Sequence, residues 1–399
     1  MAHLTTLSSD FVMRIRWLGA IGQKAKASGL SRGMPTFWSS IETINGSVRR
    51  RAFAWKTKRA RSTWQGELFR KLTRQNIREH ACWWQAFSKP MMALYEDQIR
   101  ELCVNILDQA LTLGEFDATH HIARQLPMRM LGRIAGLPEE DLDWLVDKGD
   151  ALMANTDGDF TSHVVDKIDT DAYRLMPFRS PAGADLYDYA SKLMSRQGTG
   201  GDASGVLHLI TQPDAQGNVI SDNEFRNFFC LLVAAGNDTT RYSIAAALHA
   251  LANQPGLMAQ LKSVQGDAAW EGVADEFIRW ASPATHFRRT ATEDFQYHGK
   301  KVLAGDKVLL WFISGNRDER AFEQPFSVNL SRGTNRHLSF GQGGPHACLG
   351  MWLARLELRV LLQELIKRVE RIEQTGEHLF LRSNFVCGIK RLPVRMHLL

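Results

Sequence analysis

The chain has 399 residues, 44% of them hydrophobic, enough to build a sizeable core in one large domain or two to three smaller ones. Its five scattered cysteines (Cys82, Cys103, Cys230, Cys348 and Cys387) are odd in number, which argues against a disulfide framework and for a reducing compartment. The formal net charge of +6 hides a break. Residues 1–90 carry 17 Lys and Arg against 4 Asp and Glu, with six of the eleven tryptophans, whereas the rest of the chain carries 32 basic and 39 acidic residues. Taken at face value, the first ninety residues read as an arm that binds nucleic acid or a membrane surface. Residues 1–10 are polar and no apolar run reaches bilayer length, so a cytoplasmic protein with no membrane span is expected.

From Phe87 the pattern becomes regular. ALYEDQIRELCVNILDQAL has apolar residues at helical spacing. ARQLPMRMLGRIAGLPEEDLDWLVDKGDALM predicts two helices separated by Gly136 and Pro138. Residues 195–205, SRQGTGGDASG, read as a loop, followed by a long helix from about Asp222 to Asn253 that stops before Pro255. Residues 294–312 predict a β-hairpin turning at Gly305-Asp306. LARLELRVLLQELIKRV predicts a further helix, and the C-terminal tail is strand-like. The expected fold class is mainly α with a small β portion.

Three constellations carry chemistry. In SFGQGGPHACLG, residues 339–350, Cys348 ends a glycine-rich loop and begins a helix, where free N–H groups and the positive helix end stabilise a thiolate. Alone, such a cysteine reads at least as well as a buried structural thiol. In AAGNDTT, residues 234–240, Ala235 and Gly236 open a gap in a bulky helix face. Asp238 and Thr239 then place an acid and a hydroxyl in an apolar interior, where both are costly unless used. A kink or a capping pair explains that segment equally well in isolation. In EFIR, Glu276 and Arg279 stand at i,i+3 and can pair, a spacing that usually marks surface charge.

The order AGNDTT, ExxR, FRRTATED, NRD with a following F…P, and FGxxGxHxCxG resembles the cytochrome P450 family, and within it the soluble bacterial members. The resemblance runs from about Phe87 to the C-terminus and implies the cytochrome P450 fold over residues 87–399. It implies haem b with Cys348 as the axial thiolate on iron. His346 and Arg289 resemble the residues that hold the haem propionates, Phe340 the aromatic beside the thiolate, and Gly341 and Gly350 the glycines of the haem loop. Asp238 and Thr239 match the acid–alcohol pair that brings protons to dioxygen. Gly236 and Ala235 would leave room for that dioxygen. Glu276, Arg279 and Arg332 resemble a structural cluster, and Ala235, Thr285 and Val386 occupy positions that line the family's substrate pocket. Phe340 lies eight positions before Cys348, one more than the commonest spacing. That longer loop resembles sterol and branched-lipid hydroxylases, which points to a terpenoid, steroid or lipid substrate. Ferredoxin and ferredoxin reductase are the implied electron donors, with no nucleic-acid partner.

Upstream of Phe87 the family pattern stops. Asn76 stands where the family histidine belongs and His80 where its arginine belongs. A one-nucleotide slip accounts for this. Each slipped codon takes the wobble base of one residue and the first two bases of the next, and from Leu72 into Gln85 the slipped frame permits DPPEHSRARLLVA, the missing family motif. The same slip turns RGMPTFWSSIET, residues 32–43, into a permitted RHADLLVVHRD. Residues 1–86 are therefore expected to be atypical, with about 30–86 an out-of-frame reading. The basic charge and the tryptophans then follow from the reading frame. Two other readings remain at this point. One is a haem-binding remnant or sensor without turnover. The other is a nucleic-acid- or membrane-binding protein, which leaves Cys348, Asp238 and the Glu276–Arg279 pair unexplained.

Overall fold

A computed structural model describes residues 85–164, 180–197, 205–213, 217, 219–333, 335–341 and 347–399. The residues on which the frame-slip reading rests, and nearly all of the basic first ninety, lie outside this set, as do His346 and most of the 195–205 loop.

The helices follow the apolar spacing of the sequence. After the short helix α1 (Lys89–Ala93), α2 (Glu96–Leu111) buries Ile99, Leu102, Cys103, Ile106 and Leu107 and packs along α11 (Met351–Ile366). Strand β1 (Glu115–Asp117) leads into one π-helical turn over Thr119–Ala123 and then α3 (Gln125–Ala135). Helix α3 ends where expected. Gly136 adopts φ 75°, and the Leu137 N–H returns to the Gly132 carbonyl at 2.9 Å. Helix α4 (Leu142–Met153) follows, then α5 (Pro181–Gln197) and α6 (Val206–Thr211).

The long helix α7 (Asp222–Asn253) is the axis of the molecule. Ser221 and Glu224 form a reciprocal capping box at its start, which contributes about 1 kcal/mol. Gln254 turns extended ahead of Pro255 and ends it. It packs against α3, α4, α5 and α11, and against α9 (Asp267–Ala281), which follows the short α8 (Leu257–Lys262).

The β portion is small and peripheral. Strand β2 (His286–Thr290) pairs antiparallel with β5 (Lys307–Trp311), and β3 (Phe295–Tyr297) pairs with β4 (Lys300–Val302). This corrects the expected hairpin. Its turn is His298–Gly299, with φ of 47° and 71°, the backbone of a two-residue type I′ loop. Gly305 and Asp306 do form a turn, but it joins strands that belong to different pairs. Short α10 (Phe312–Gly315) follows β5. After α11, β6 (Val369–Gln374) and β1 flank β9 (Pro393–Leu398), and β7 (Leu379–Phe380) pairs with β8 (Ile389–Arg391). The helix expected over residues 353–369 stops at Ile366, and Val369 begins a strand. The expected class, mainly α with a small β portion, is what the chain adopts. Among the described residues, no helix is long and apolar enough to cross a membrane.

Candidate haem-thiolate site

Cys348 lies just before the N-terminus of α11, and its backbone N–H donates to the Phe340 carbonyl at 2.9 Å. Phe340 is buried behind the loop. The Arg355 guanidinium stacks 4.6 Å from its ring centre and donates from Nε to Asp275 Oδ1 at 2.7 Å. His337 meets the same Asp275 oxygen at 3.1 Å. The loop is thus braced from α9 and α11. Gly341 takes φ 63° directly after Phe340, which suits glycine there. Burial pushes the Cys348 thiol up, with the Gly350 N–H and Arg355 pulling the other way. Yet Cys348 is exposed at its own surface. The side chain thus keeps accessible surface at the start of a helix whose next turns are largely buried.

Helix α7 shows the same signature. Most of its central turns are buried, but Leu231, Ala235 and Thr239, spaced four residues apart on one face, carry accessible surface, with Ala235 exposed. Thr239 Oγ1 donates back to the Ala235 carbonyl at 2.9 Å. The room on this face comes from Ala235 and not from Gly236. A Cβ on Gly236 would meet the Leu131 side chain at 2.7 Å, so that gap is filled by α3. On β2, Arg289 is half-buried, and burial lowers its guanidinium from the ordinary arginine value. An accessible sulfur, a small-residue helix face and a desolvated cation on a strand fit a flat, carboxylate-bearing, iron-binding group. His346, the second expected propionate partner, lies outside the described residues.

Asp238 is fully buried, and neither of its oxygens has a hydrogen-bond partner. Burial pushes its carboxyl up to about 7; Arg241, at 3.7 Å, lowers it and Asp150 raises it. Asp238 and Thr239 are adjacent on the helix, so the acid lies in the packing between helices and the hydroxyl on the accessible face with Ala235.

Glu276 and Arg279 are buried. Arg279 donates from Nε to Glu276 Oε2 at 2.8 Å and from Nη2 to Oε1 at 2.9 Å. Its other N–H groups reach the carbonyls of Asn316, Pro325 and Ser327. Arg332 Nε and Asn335 Nδ2 both donate to Glu276 Oε2. The pair is therefore no surface bridge: it binds α9 to residues 316–335.

Of the residues expected to line a pocket, Thr285 and Val386 are buried and Ala235 is accessible. Thr285 Oγ1 donates to the Phe385 carbonyl at 2.9 Å, and Ala284 bridges Val386, so residues 283–285 are fastened to residues 384–387.

Sequence reasoning missed the charges behind Asp238. Arg241 hydrogen-bonds Asp150 of α4, which also accepts from Asn237 Nδ2 at 3.1 Å and Arg124 Nε at 2.6 Å. The signal was present in Arg241 itself, a cation three residues after an acid in an apolar helix.

Comparison with known proteins agrees with this geometry. The family model described as Cytochrome P450 matches residues 270–395. A methyl-branched lipid omega-hydroxylase of Mycobacterium tuberculosis is 32% identical over 320 residues, covering 78% of this chain and 70% of that protein. A steroid C26-monooxygenase of the same organism is 29% identical over 310 residues, covering 78% and 67%. Among solved structures, a Mycobacterium marinum cytochrome P450 in complex with pseudoionone superposes with a TM-score of 0.73 at 32% identity, covering 81% of this chain and 75% of that one.

Proposed function

The chain belongs to the cytochrome P450 monooxygenase family, and from that premise we propose that it hydroxylates a terpenoid, steroid or lipid with dioxygen and electrons from a ferredoxin. Members of the family bind haem through a cysteine thiolate. The reaction takes R–H, O₂, two electrons and two protons to R–OH and water. The observation that carries this reading is Cys348, exposed at the start of α11, in a molecule whose α7 presents Ala235 and Thr239 on an accessible face. The curated relatives named for methyl-branched lipids and steroids support the substrate class.

Cys348 Sγ would be the axial ligand of haem b, with Phe340, Gly341 and Gly350 around the sulfur and Arg289 and His346 on the propionates. When bound, the haem supplies dioxygen activation. The residues of this chain do the rest. Leu231 and Ala235 offer an apolar face to the substrate, which keeps water from the reacting C–H bond. Asp238 holds a proton at its carboxyl near neutral pH and passes it toward Thr239 Oγ1 on the accessible side. Glu276, Arg279 and Arg332 keep α9 and residues 316–335 in register beneath the Cys348 loop. A small acidic ferredoxin would dock on the face nearest that loop, supplied in turn by its reductase.

The test is spectroscopic. The purified chain is reduced in the presence of carbon monoxide, and a thiolate-type red shift of the Soret band is expected. Its absence, with haem supplied in excess, would reject the enzyme reading for this chain. Substrate class is then read from the low-to-high spin shift on titration with branched fatty acids and sterols.

A further inference from the structure

Arg241 has two carboxylates within reach and bonds only one of them. Asp150, reaching across from α4, takes the hydrogen bond, while Asp238, one turn back on Arg241's own helix, is left 3.7 Å away with both oxygens unbonded. Asp150 is the better-held acceptor, because Asn237 and Arg124 also donate to it. The guanidinium is held from its other side as well. Its Nη2 donates to Tyr242 OH at 2.5 Å, and its carbon lies 4.6 Å and 5.2 Å from the ring centres of Tyr242 and Phe160.

The charges of this cluster are Arg124 and Arg241 against Asp147 and Asp150, and they balance without Asp238. His120, on the π-helical turn, feels Arg124 and Asp150 from the outer side, and Tyr242 is held neutral by burial. Asp150 has three hydrogen-bond donors, whereas Asp238 is desolvated with none, which pushes its carboxyl up to about 7. The arrangement sorts the two acids into different roles.

We propose that Asp150 is a positioning residue: by taking the hydrogen bond of the Arg241 guanidinium, it leaves Asp238, 3.7 Å from that guanidinium, without a hydrogen-bond donor, so that its carboxyl can exchange a proton on the Thr239 side. This rests on the acid–alcohol reading of Asp238 and Thr239, but its first readout does not. In Asp150→Asn the guanidinium loses its anionic partner, and Asp238 is the nearest replacement.

The experiment is infrared difference spectroscopy of the full chain at pH 6, with the protonated-carboxyl band of Asp238 identified by its loss in Asp238→Asn. In D150N the band should fall about tenfold, because pairing with Arg241 moves the Asp238 midpoint down by about two pH units, from about 7 to below the pH of the measurement. D150E, which keeps the charge, should retain it. An undiminished band in folded D150N overturns the proposal. If D150N does not fold, the double variant D150N/R241Q carries the test, since it creates no uncompensated buried charge. The Asp238 midpoint should then stay within about one pH unit of its original value, because a self-contained pair has been removed. A larger rise would make Arg241 the counter-ion of Asp238 and reject the idea. In the haem-loaded enzyme, D150N should lose product per electron consumed, as D238N does. If D238N keeps full coupling while the infrared results hold, it is the acid–alcohol reading that fails, and the Asp150 arrangement stands.

Discussion

Arg279 grips Glu276 with two parallel hydrogen bonds, and neither side chain has any accessible surface. Three more donors, from Arg332, Asn335 and the Asn329 backbone, fill the remaining capacity of the Glu276 carboxylate. Such a cluster is stable only when complete. Glu276→Gln leaves two buried guanidinium groups without their anion, at a cost of about 3–5 kcal/mol. Urea unfolding should show a matching drop in midpoint with an unchanged slope. A loss below about 1 kcal/mol would mean that the cluster is solvated in solution.

Two buried titrating groups on α7 act on stability in opposite senses. Burial and the neighbouring His378 hold His249 down to about 4, so between there and the ordinary value of 6.5 the unfolded chain binds the extra proton, and stability rises with pH. Asp238, pushed up to about 7 from 3.8, binds its proton in the folded state, so stability falls with rising pH over an overlapping range. Between about pH 4.5 and 6 the two contributions nearly cancel. Replacing either group should expose the other. Relative to the parent protein, His249→Gln should tilt the stability curve downward with pH, and Asp238→Asn upward, each by about 1.4 kcal/mol per pH unit. Chemical unfolding at several pH values reads both slopes.

What the sequence disclosed divides along physical lines. The end of helix α7 was legible because Pro255 is a local signal, and its start, expected only approximately at Asp222, is fixed by the Ser221–Glu224 capping box. Cys348 was legible because a glycine-rich loop running into a helix is also local. The hairpin was misread because β5 pairs with β2 and not with β4, and no local feature announces that choice. The Asp150–Arg241 bond spans 91 positions and forms only once α4 lies on α7. The burial of Thr285 and Val386 likewise comes from pairing of two segments about 100 positions apart, which no local feature announces.

Proton delivery through Asp238 has a pH signature. The protonated acid is the competent form, and its carboxyl sits near 7. Hydroxylation by the haem-loaded enzyme should therefore fall as pH rises through about 7, and this limb should vanish in Asp238→Asn. General-acid catalysis contributes roughly 10²–10⁴-fold, so D238N should lose rate in that range and release more hydrogen peroxide per electron consumed. Thr239→Ala should raise peroxide release as well, without removing the pH limb, because the titrating acid is still in place. Equal coupling in all three proteins would remove Asp238 and Thr239 from the chemistry.

The last prediction concerns residues 30–86. From Leu72 into Gln85 the slipped frame permits DPPEHSRARLLVA, whose histidine and arginine would add two haem contacts to those of Cys348 and Arg289. The chain as written has Asn76 and His80 at those positions. We propose that a single-nucleotide change separates the two readings. The coding DNA tests this directly, because DPPEH requires a particular wobble base at each of five successive codons, and one mismatch rejects the slip. Protein chemistry offers a second test. A chain carrying the restored segment should bind haem with the full thiolate-type carbon monoxide spectrum, whereas the chain as written should hold haem more weakly, losing it to apomyoglobin faster under the same conditions. Equal haem retention in the two chains would mean that Cys348, Arg289 and the loop around Phe340 suffice to hold the haem, and that the DPPEH segment adds no contact to it.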